Sequence, residues 1–343
     1  MTTDERQLDE RLIPVVLAVD VEPDPGGGTW HDPRPWLGFE GWLEIVTALR
    51  DRLARASGAP ARFAWFIRCD PQIAEVYGDA AWAADHYAAG IDRLRGAGDE
   101  LAIHPHAWRW DADARHWVHD NADPAWVEHV LESGFDRFAT GFGQPARVHR
   151  FGSRYMTPAI VRWLAAHGVR ADTTVEPGSP PARTLDATAA FTGTVPDMRQ
   201  VPRQPYRPDP DNPFAEAPAD SLPFDQGLWM LPHSAFDPQP LIPPWRRVAR
   251  RVRFFGQQRY RSAQLWTPQE PTRFWELAVD AALALPRPYL FLGVRSSALG
   301  GGEFRRLTLE KLDALERHPA VRRMRFVTST QALDTLVGAR SRE

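Results

Sequence analysis

The 343-residue sequence contains a single cysteine, Cys69. A lone thiol cannot form an internal disulfide, and it cannot build a metal site from several cysteines, so both features are excluded. This scarcity of cysteine is typical of proteins from a reducing compartment.

Long apolar runs are also missing from the sequence. No stretch of about 18 consecutive apolar residues is present, as a membrane-spanning helix would need. The first residues, MTTDERQLDERL, are charged and contain no apolar segment that resembles the core of a signal peptide. We therefore expect a soluble, cytoplasmic protein with no membrane span.

The sequence also has little excess of either acidic or basic residues. The chain has 41 basic and 44 acidic residues, which gives a formal net charge of -3. This balance produces no field strong enough to gather nucleic acid or anionic lipid onto the whole surface, so we expect no nucleic-acid partner. With 43% hydrophobic residues, a chain of this length buries about three quarters of its unfolded surface, which excludes a disordered, fibrous or coiled-coil protein.

The apolar pattern alternates between short strands and helices. Residues 15–19 form a continuous, β-branched apolar run that ends at Asp20, which predicts a parallel strand buried on both faces. Further strands are predicted at 62–67, 100–104, 147–151, 171–175, 289–294 and 325–327. Helices are predicted between them, near 42–53, 80–95, 124–138, 157–168, 274–285, 309–315 and 332–336. Such alternation indicates a parallel sheet, either closed as a barrel or open and doubly wound.

One long stretch interrupts this alternation. From Glu176 to about residue 245 the periodicity fails and proline is dense, so we expect irregular structure with one short strand at 228–231. A linker between two domains is one interpretation. Because the alternation resumes afterwards, we favour a single domain over 1–343, in which 176–245 is a Pro-rich insert over the functional face.

Two pairs of polar residues stand at the ends of predicted strands. Asp20 and Glu22 end the first strand, and His104 and His106 end the third. Residues two apart in extended backbone point to the same side, and parallel α/β folds place their chemistry at the carboxyl ends of strands. Either pair alone could be a turn cap or surface decoration. Both pairs at one rim favour a divalent-metal site, because two neutral imidazoles and a carboxylate are a common ligand set.

Three segments carry a resemblance to a known family. They read VVLAVDVEPD (15–24), GDELAIHPHAW (98–108) and HRFGSRYMTPAIVRWLAAHGVRADTTVEPG (149–178). In that order they resemble the first three motifs of the polysaccharide deacetylase family, the NodB-like carbohydrate esterases. The similarity is closer to the intracellular bacterial branch, whose second motif reads His-x-His and whose third reads Arg-x-Gly.

This resemblance implies a distorted (β/α)7 barrel and metal-assisted hydrolysis of an N-acetyl or similar amide. The family's general base falls on Asp20, and its ligands for a divalent ion, with Zn²⁺ the leading candidate, fall on Glu22, His104 and His106. The arginine that orients the base falls on Arg150. We expect Arg150 to hold Asp20 or Glu22 through a charge-assisted hydrogen bond that lowers the pKa of that carboxylate.

The sequence departs from the family pattern in two places. The usual Asp-Asp pair is Asp20-Val21, so either Glu22 is the metal carboxylate or Asp20 binds the metal and Glu22 serves another role. Arg295 stands where the family carries its catalytic-acid histidine. With a side-chain pKa above about 12, arginine cannot protonate a leaving amine near neutral pH, although it can stabilise an oxyanion or bind an anion. The acid is therefore altered, supplied by His233 from the insert, or absent.

The leading interpretation is a metal-dependent, deacetylase-like hydrolase that acts on an N-acetylated sugar or glycan precursor. A catalytically silent barrel that binds a carbohydrate or an anion through Arg295 is one alternative, and an amidase for a small non-sugar substrate is another. Trp30, Trp36, Trp108 and Trp110 are predicted near the same loops, where flat aromatic faces suit sugar rings. Ordinary packing remains an equal interpretation for any one of the 14 tryptophans.

Overall fold

A computed structural model describes residues 12–24, 30–182, 190–218, 227–236, 261–262 and 273–340. In chain order the strands are β1 (Ile13–Val21), β2 (Ala64–Ile67), β3 (Glu100–Ile103), β4 (Trp108–Asp111), β5 (His116–Asp120), β6 (Val148–His149), β7 (Ala171–Asp172), β8 (Ala190–Thr192), β9 (Trp229–Met230), β10 (Ala235–Phe236), β11 (Arg261–Ser262), β12 (Leu290–Arg295) and β13 (Met324–Phe326). The helices are α1 (Leu37–Ser57), α2 (Pro71–Tyr77), α3 (Trp82–His86), α4 (Ala88–Gly96), α5 (Pro124–Phe142), α6 (Pro158–Ala166), α7 (Arg273–Leu283), α8 (Gly302–Glu316) and α9 (Ser329–Arg340).

Seven parallel strands form the main sheet, in the order β12-β1-β2-β3-β6-β7-β9, and β13 pairs with the first residues of β1. The two ends of this sheet meet just beyond β9. There the backbone N–H of Ser234 donates to the carbonyl of Phe291 at 3.2 Å, and the N–H of Phe291 donates to the Ser234 hydroxyl at 2.8 Å. The predicted distorted (β/α)7 barrel is confirmed.

Strand alternation separates two layers of the core. On β1, Val15, Leu17 and Val19 pack outward in a cluster that includes side chains of α1, while Val16 and Ala18 face inward. The inward cluster is continued by residues of the neighbouring strands, namely Ala64, Phe66, Ala102, Val148, Ala171, Leu231 and Phe291. Because side chains alternate with period two, the next inward positions lie at the mouth of the barrel. These positions are Asp20, Arg68, His104, Arg150, His233 and Gly293.

The segment 176–245, predicted to be an irregular insert, also contributes one strand to the barrel. Its described residues are mostly irregular, as expected, but β9 within it is the sixth strand of the barrel. The short strand predicted at 228–231 is therefore present, but the sequence did not predict that it joins the barrel sheet. The parts of 176–245 at 183–189, 219–226 and 237–245 lie outside the described residues.

Two further details differ from the sequence expectations. The single helix predicted near 80–95 is two helices, α3 and α4, joined at Tyr87. A separate three-stranded sheet of β4, β5 and β8, which the sequence did not predict, follows the histidine pair. Among the described residues, no helix combines the length and the apolar character that crossing a bilayer requires.

Candidate functional site

Three candidate metal ligands meet at the mouth of the barrel. Glu22, His104 and His106 each offer a ligand atom, and these atoms all lie within 4.8 Å of one another. The Nε2 atoms of the two imidazoles are 3.1 Å apart. Two imidazoles and a carboxylate converging in this way are the donor set that the strand-end spacing predicted, so the residues present fit a divalent ion such as Zn²⁺.

The environment of His104 keeps its ring in the state that a metal ligand requires. Its Nδ1 lies 2.8 Å from the backbone carbonyl of Arg150, and a carbonyl can only accept, so Nδ1 carries the proton. Burial lowers the pKa of His104 to about 3, which leaves the ring neutral. The unprotonated Nε2 therefore faces His106 with a lone pair available.

His106 is fixed from two sides. Its backbone N–H donates to Asp70 at 3.1 Å, and Asp70 itself pairs with the fully buried Arg68 and caps the start of α2. On the other side, Gly152 lies directly against the imidazole, since a Cβ at this glycine would fall 2.3 Å from ring atoms. Burial lowers the pKa of His106 well below its usual range, so this ring is neutral too.

Asp20 lies at the same mouth and is nearly buried. Arg150 lies at ion-pair distance from it, with Nε 3.4 Å from Oδ1, but the expected hydrogen bond is not made, since Oδ1 has no hydrogen-bond partner among the described residues. The pKa of Asp20 is nevertheless raised, because burial outweighs the lowering effects of Arg150 and Arg295. The expectation of a lowered pKa was therefore wrong in its net direction, since the sequence could not measure the desolvation of this carboxyl.

Arg150 contacts two further groups besides Asp20. Its Nη2 lies 3.6 Å from Glu176, and its Nη1 donates to Nε2 of His233. Glu176 is held in turn by Arg154 at 3.4 Å. Sequence reasoning missed Glu176 and Arg154 as site residues. The available signal was that Glu176 is the first carboxylate after the predicted strand at 171–175.

Arg295 lies on the side of the mouth that carries Glu22, at the rim where the end of its predicted strand placed it. It is paired with Asp20 in the register of β1 and β12, and its Nε is 3.7 Å from a carboxylate oxygen of Glu22. Its side chain is 44% exposed, whereas that of Glu22 is 4% exposed. The guanidinium is thus the more accessible of the two charges. His233, by contrast, is fully buried beside Arg150.

The tryptophans divide into core and rim. Trp30, Trp36 and Trp108 are buried, with Trp36 packed against Tyr77 and neighbouring aromatic rings. Their faces are covered by protein, so ordinary packing describes them better than a sugar platform does. Trp110 on β4 is partly exposed and stacks on His31 at a ring separation of 4.1 Å, which leaves it the best-placed candidate of the four.

No protein-family model and no curated protein matches the sequence. Several solved structures resemble the fold. A Mycobacterium smegmatis protein named as a polysaccharide deacetylase matches with a TM-score of 0.50 at 14% identity, covering 97% of this chain and 92% of its own. A Pseudomonas aeruginosa protein named in the same way matches with a TM-score of 0.52 at 13% identity, covering 94% and 90%.

The chain has the polysaccharide deacetylase fold. A third structure agrees, a Parabacteroides distasonis protein named as a glycoside hydrolase/deacetylase, with a TM-score of 0.57, 14% identity, and coverage of 98% of this chain and 72% of that one. At such identities the similarity concerns the fold alone, so the chemistry must be argued from the residues at the barrel mouth.

The close packing of Gly152 on His106 gives a direct test of the ligand cluster. We expect Gly152→Ala to displace the imidazole and to weaken Zn²⁺ binding by about tenfold or more, as the loss of a supporting contact does at other metal sites. Calorimetric titration with Zn²⁺ measures this. Gly96→Ala is the matched control, because a Cβ at Gly96 meets nothing within 4 Å. Equal Zn²⁺ affinity in the two variants would remove His106 from the cluster.

Proposed function

We propose that this protein is a metal-dependent hydrolase that removes the acyl group from an N-acylated sugar or glycan precursor. The observation that supports this most strongly is the joint placement of Asp20 and the Glu22–His104–His106 cluster at one barrel mouth. Arg150 links the two parts, because its guanidinium contacts Asp20 and its carbonyl holds the ring of His104.

The assignment of ligands follows from the geometry of the two carboxylates. Glu22 shares a 4.8 Å cluster with both imidazoles, while Asp20 faces the guanidinium of Arg150. Glu22 is therefore the metal carboxylate in our proposal, and Asp20 is the base. A divalent ion held by these three ligands would polarise the amide carbonyl and lower the pKa of water.

Asp20 takes the proton of the attacking water in this proposal and returns it to the departing nitrogen as the C–N bond breaks. The fixed charge of Arg150 keeps the carboxylate in place throughout. Arg295 does not transfer a proton, but its exposed guanidinium can stabilise the developing oxyanion or hold an acidic group of the substrate. These roles need no nucleophilic side chain.

A cysteine nucleophile fits this site poorly. Cys69 is fully buried, and its thiol lies 3.3 Å from the carbonyl of Gly134. Burial raises the pKa of the Cys69 thiol well above its usual value, so the reactive thiolate does not form near neutral pH. In our proposal the nucleophile is therefore an activated water and not Cys69.

The first test combines metal loading with amide hydrolysis. We expect one divalent ion per chain, and acetate release from at least one member of a panel of N-acetylated sugars. Asp20→Asn should retain the ion and lose about 10²-fold or more in rate, because a base of this kind contributes that much. Asp113→Asn, an exposed carboxylate on the β4–β5 turn, should behave as wild type. Undiminished turnover in Asp20→Asn would contradict the assigned base, and small non-sugar amides in the panel test the amidase alternative.

Arg295 favours a second candidate function, a silent barrel that binds a carbohydrate or an anion. Under our proposal Arg295 has its own role, so Arg295→His should reduce both ligand binding and turnover, while Arg295→Lys keeps the charge and loses less. Acetate release and equilibrium binding of the same sugars measure the two effects. A gain of acetate release in Arg295→His would instead indicate a deacetylase silenced by this arginine.

A further inference from the structure

His233 occupies a fully buried position where the barrel closes. It belongs to the short segment that connects β9 to β10, and its backbone N–H donates to the carbonyl of Val175 at 3.1 Å. The next residue, Ser234, bonds to Phe291 on β12. The backbone on both sides of the imidazole is therefore tied into the barrel wall, which fixes the direction of the ring.

The ring of His233 accepts a hydrogen bond from Arg150. The partners are Nη1 of the guanidinium and Nε2 of the imidazole. Because a guanidinium has only donors, Nε2 must be the acceptor, and the ring proton must sit on Nδ1. Nδ1 has no hydrogen-bond partner among the described residues. Nε2 cannot then donate to a leaving group while this bond is made, and the proton on Nδ1 is buried away from solvent.

Gly293 on β12 provides the space for this contact. A Cβ at Gly293 would lie 2.7 Å from Cε1 of His233 and 3.3 Å from Nη1 of Arg150. Glycine inside a strand usually weakens it and often marks a close approach. In this strand the approaching groups are the imidazole and the guanidinium, so three residues from three different strands or connections form one packed unit.

We propose that His233 is a positioning residue that holds Arg150 against Asp20, made possible by Gly293, and that it is not the catalytic acid. The consequence for turnover rests on the proposed function, while the contact itself does not. Asp20, Glu176 and His233 contact three different nitrogens of the guanidinium, Nε, Nη2 and Nη1. Removal of His233 leaves Nη1 without this partner and lets the plane of the guanidinium rotate away from Asp20.

The contact can be tested without any enzymatic activity. In protein labelled with ¹⁵N-histidine, long-range ¹H–¹⁵N correlation spectra distinguish the two neutral tautomers of each ring. We expect His233 to be a neutral Nδ1–H tautomer in the wild type, with an Nε2 shift that changes in Arg150→Gln; His233→Gln assigns the signal. An Nε2–H or doubly protonated ring near neutral pH would overturn the proposal, whatever the activity of the protein.

The role in turnover is tested by a conservative replacement. Glutamine keeps an acceptor oxygen but cannot act as an acid, so we expect His233→Gln to retain kcat within about tenfold, whereas His233→Ala loses substantially more. Gly293→Ala should lower kcat about as much as His233→Ala does. The double variant that combines these two changes should lose no more than either one alone, because both break the same contact between His233 and Arg150. Circular dichroism and thermal melting confirm folding of each variant.

The alternative role predicts a different pattern. If His233 were the catalytic acid, glutamine would be as damaging as alanine in folded protein, and this result would overturn the proposal. A wild-type protein without turnover would contradict the proposed function alone, and the tautomer measurement would still decide whether His233 holds Arg150.

Discussion

The buried guanidinium of Arg150 is the interaction on which the rest of the barrel mouth depends. Its side chain contacts Asp20, Glu176 and His233, and its backbone carbonyl fixes the tautomer of His104. Arg150 thereby orients the candidate base Asp20 and the candidate metal ligand His104, and it also contacts His233 in the wall of the barrel. Of these side-chain contacts, the one with His233 is a hydrogen bond from a charged donor, which is stronger than a neutral one, and those with Asp20 and Glu176 are ion pairs.

Charge balance explains how so many ionisable groups can share a nearly buried mouth. The carboxylates of Asp20, Glu22 and Glu176 are accompanied by Arg150, Arg154 and Arg295, and each carboxylate has a cationic neighbour within 4 Å. Unpaired charges would be expensive at this depth, because burial penalises an ion that has no partner. At Asp20 the nearby arginines offset only part of this cost of burial, so the pKa of the carboxyl stays raised.

Much of this arrangement could be predicted from the sequence. Strands that are far apart in the chain become neighbours in a parallel sheet, so the residues at their carboxyl ends meet at one rim. Once β1 and β3 are recognised, Asp20 and His104 must lie on inward positions at the carboxyl ends of their strands. Arg295 was singled out by the family resemblance, and the end of the predicted strand at 289–294 placed it at the same mouth. Local periodicity was sufficient to predict the strands themselves.

Other parts could not be predicted, for physical reasons that differ among them. The contact between His233 and Arg150 joins residues 83 positions apart, and the segment that carries His233 has no periodicity to reveal its direction. β4 and β5 form a short local hairpin, and the sequence analysis placed its tryptophans, Trp108 and Trp110, in or near a loop. The pKa of Asp20 depends on how completely neighbouring chains exclude water, which is a property of the packed barrel and not of any motif.

The proposed chemistry depends on the binding of one divalent ion by Glu22, His104 and His106 together. X-ray absorption spectroscopy of the Zn²⁺-loaded protein tests it most directly, because the fine structure counts imidazole ligands and measures their distances. The account predicts two imidazole nitrogens at about 2.0–2.1 Å with oxygen completing the shell. It also predicts the loss of one imidazole in His106→Ala. A spectrum without imidazole scattering, or one unchanged in His106→Ala, would contradict the account.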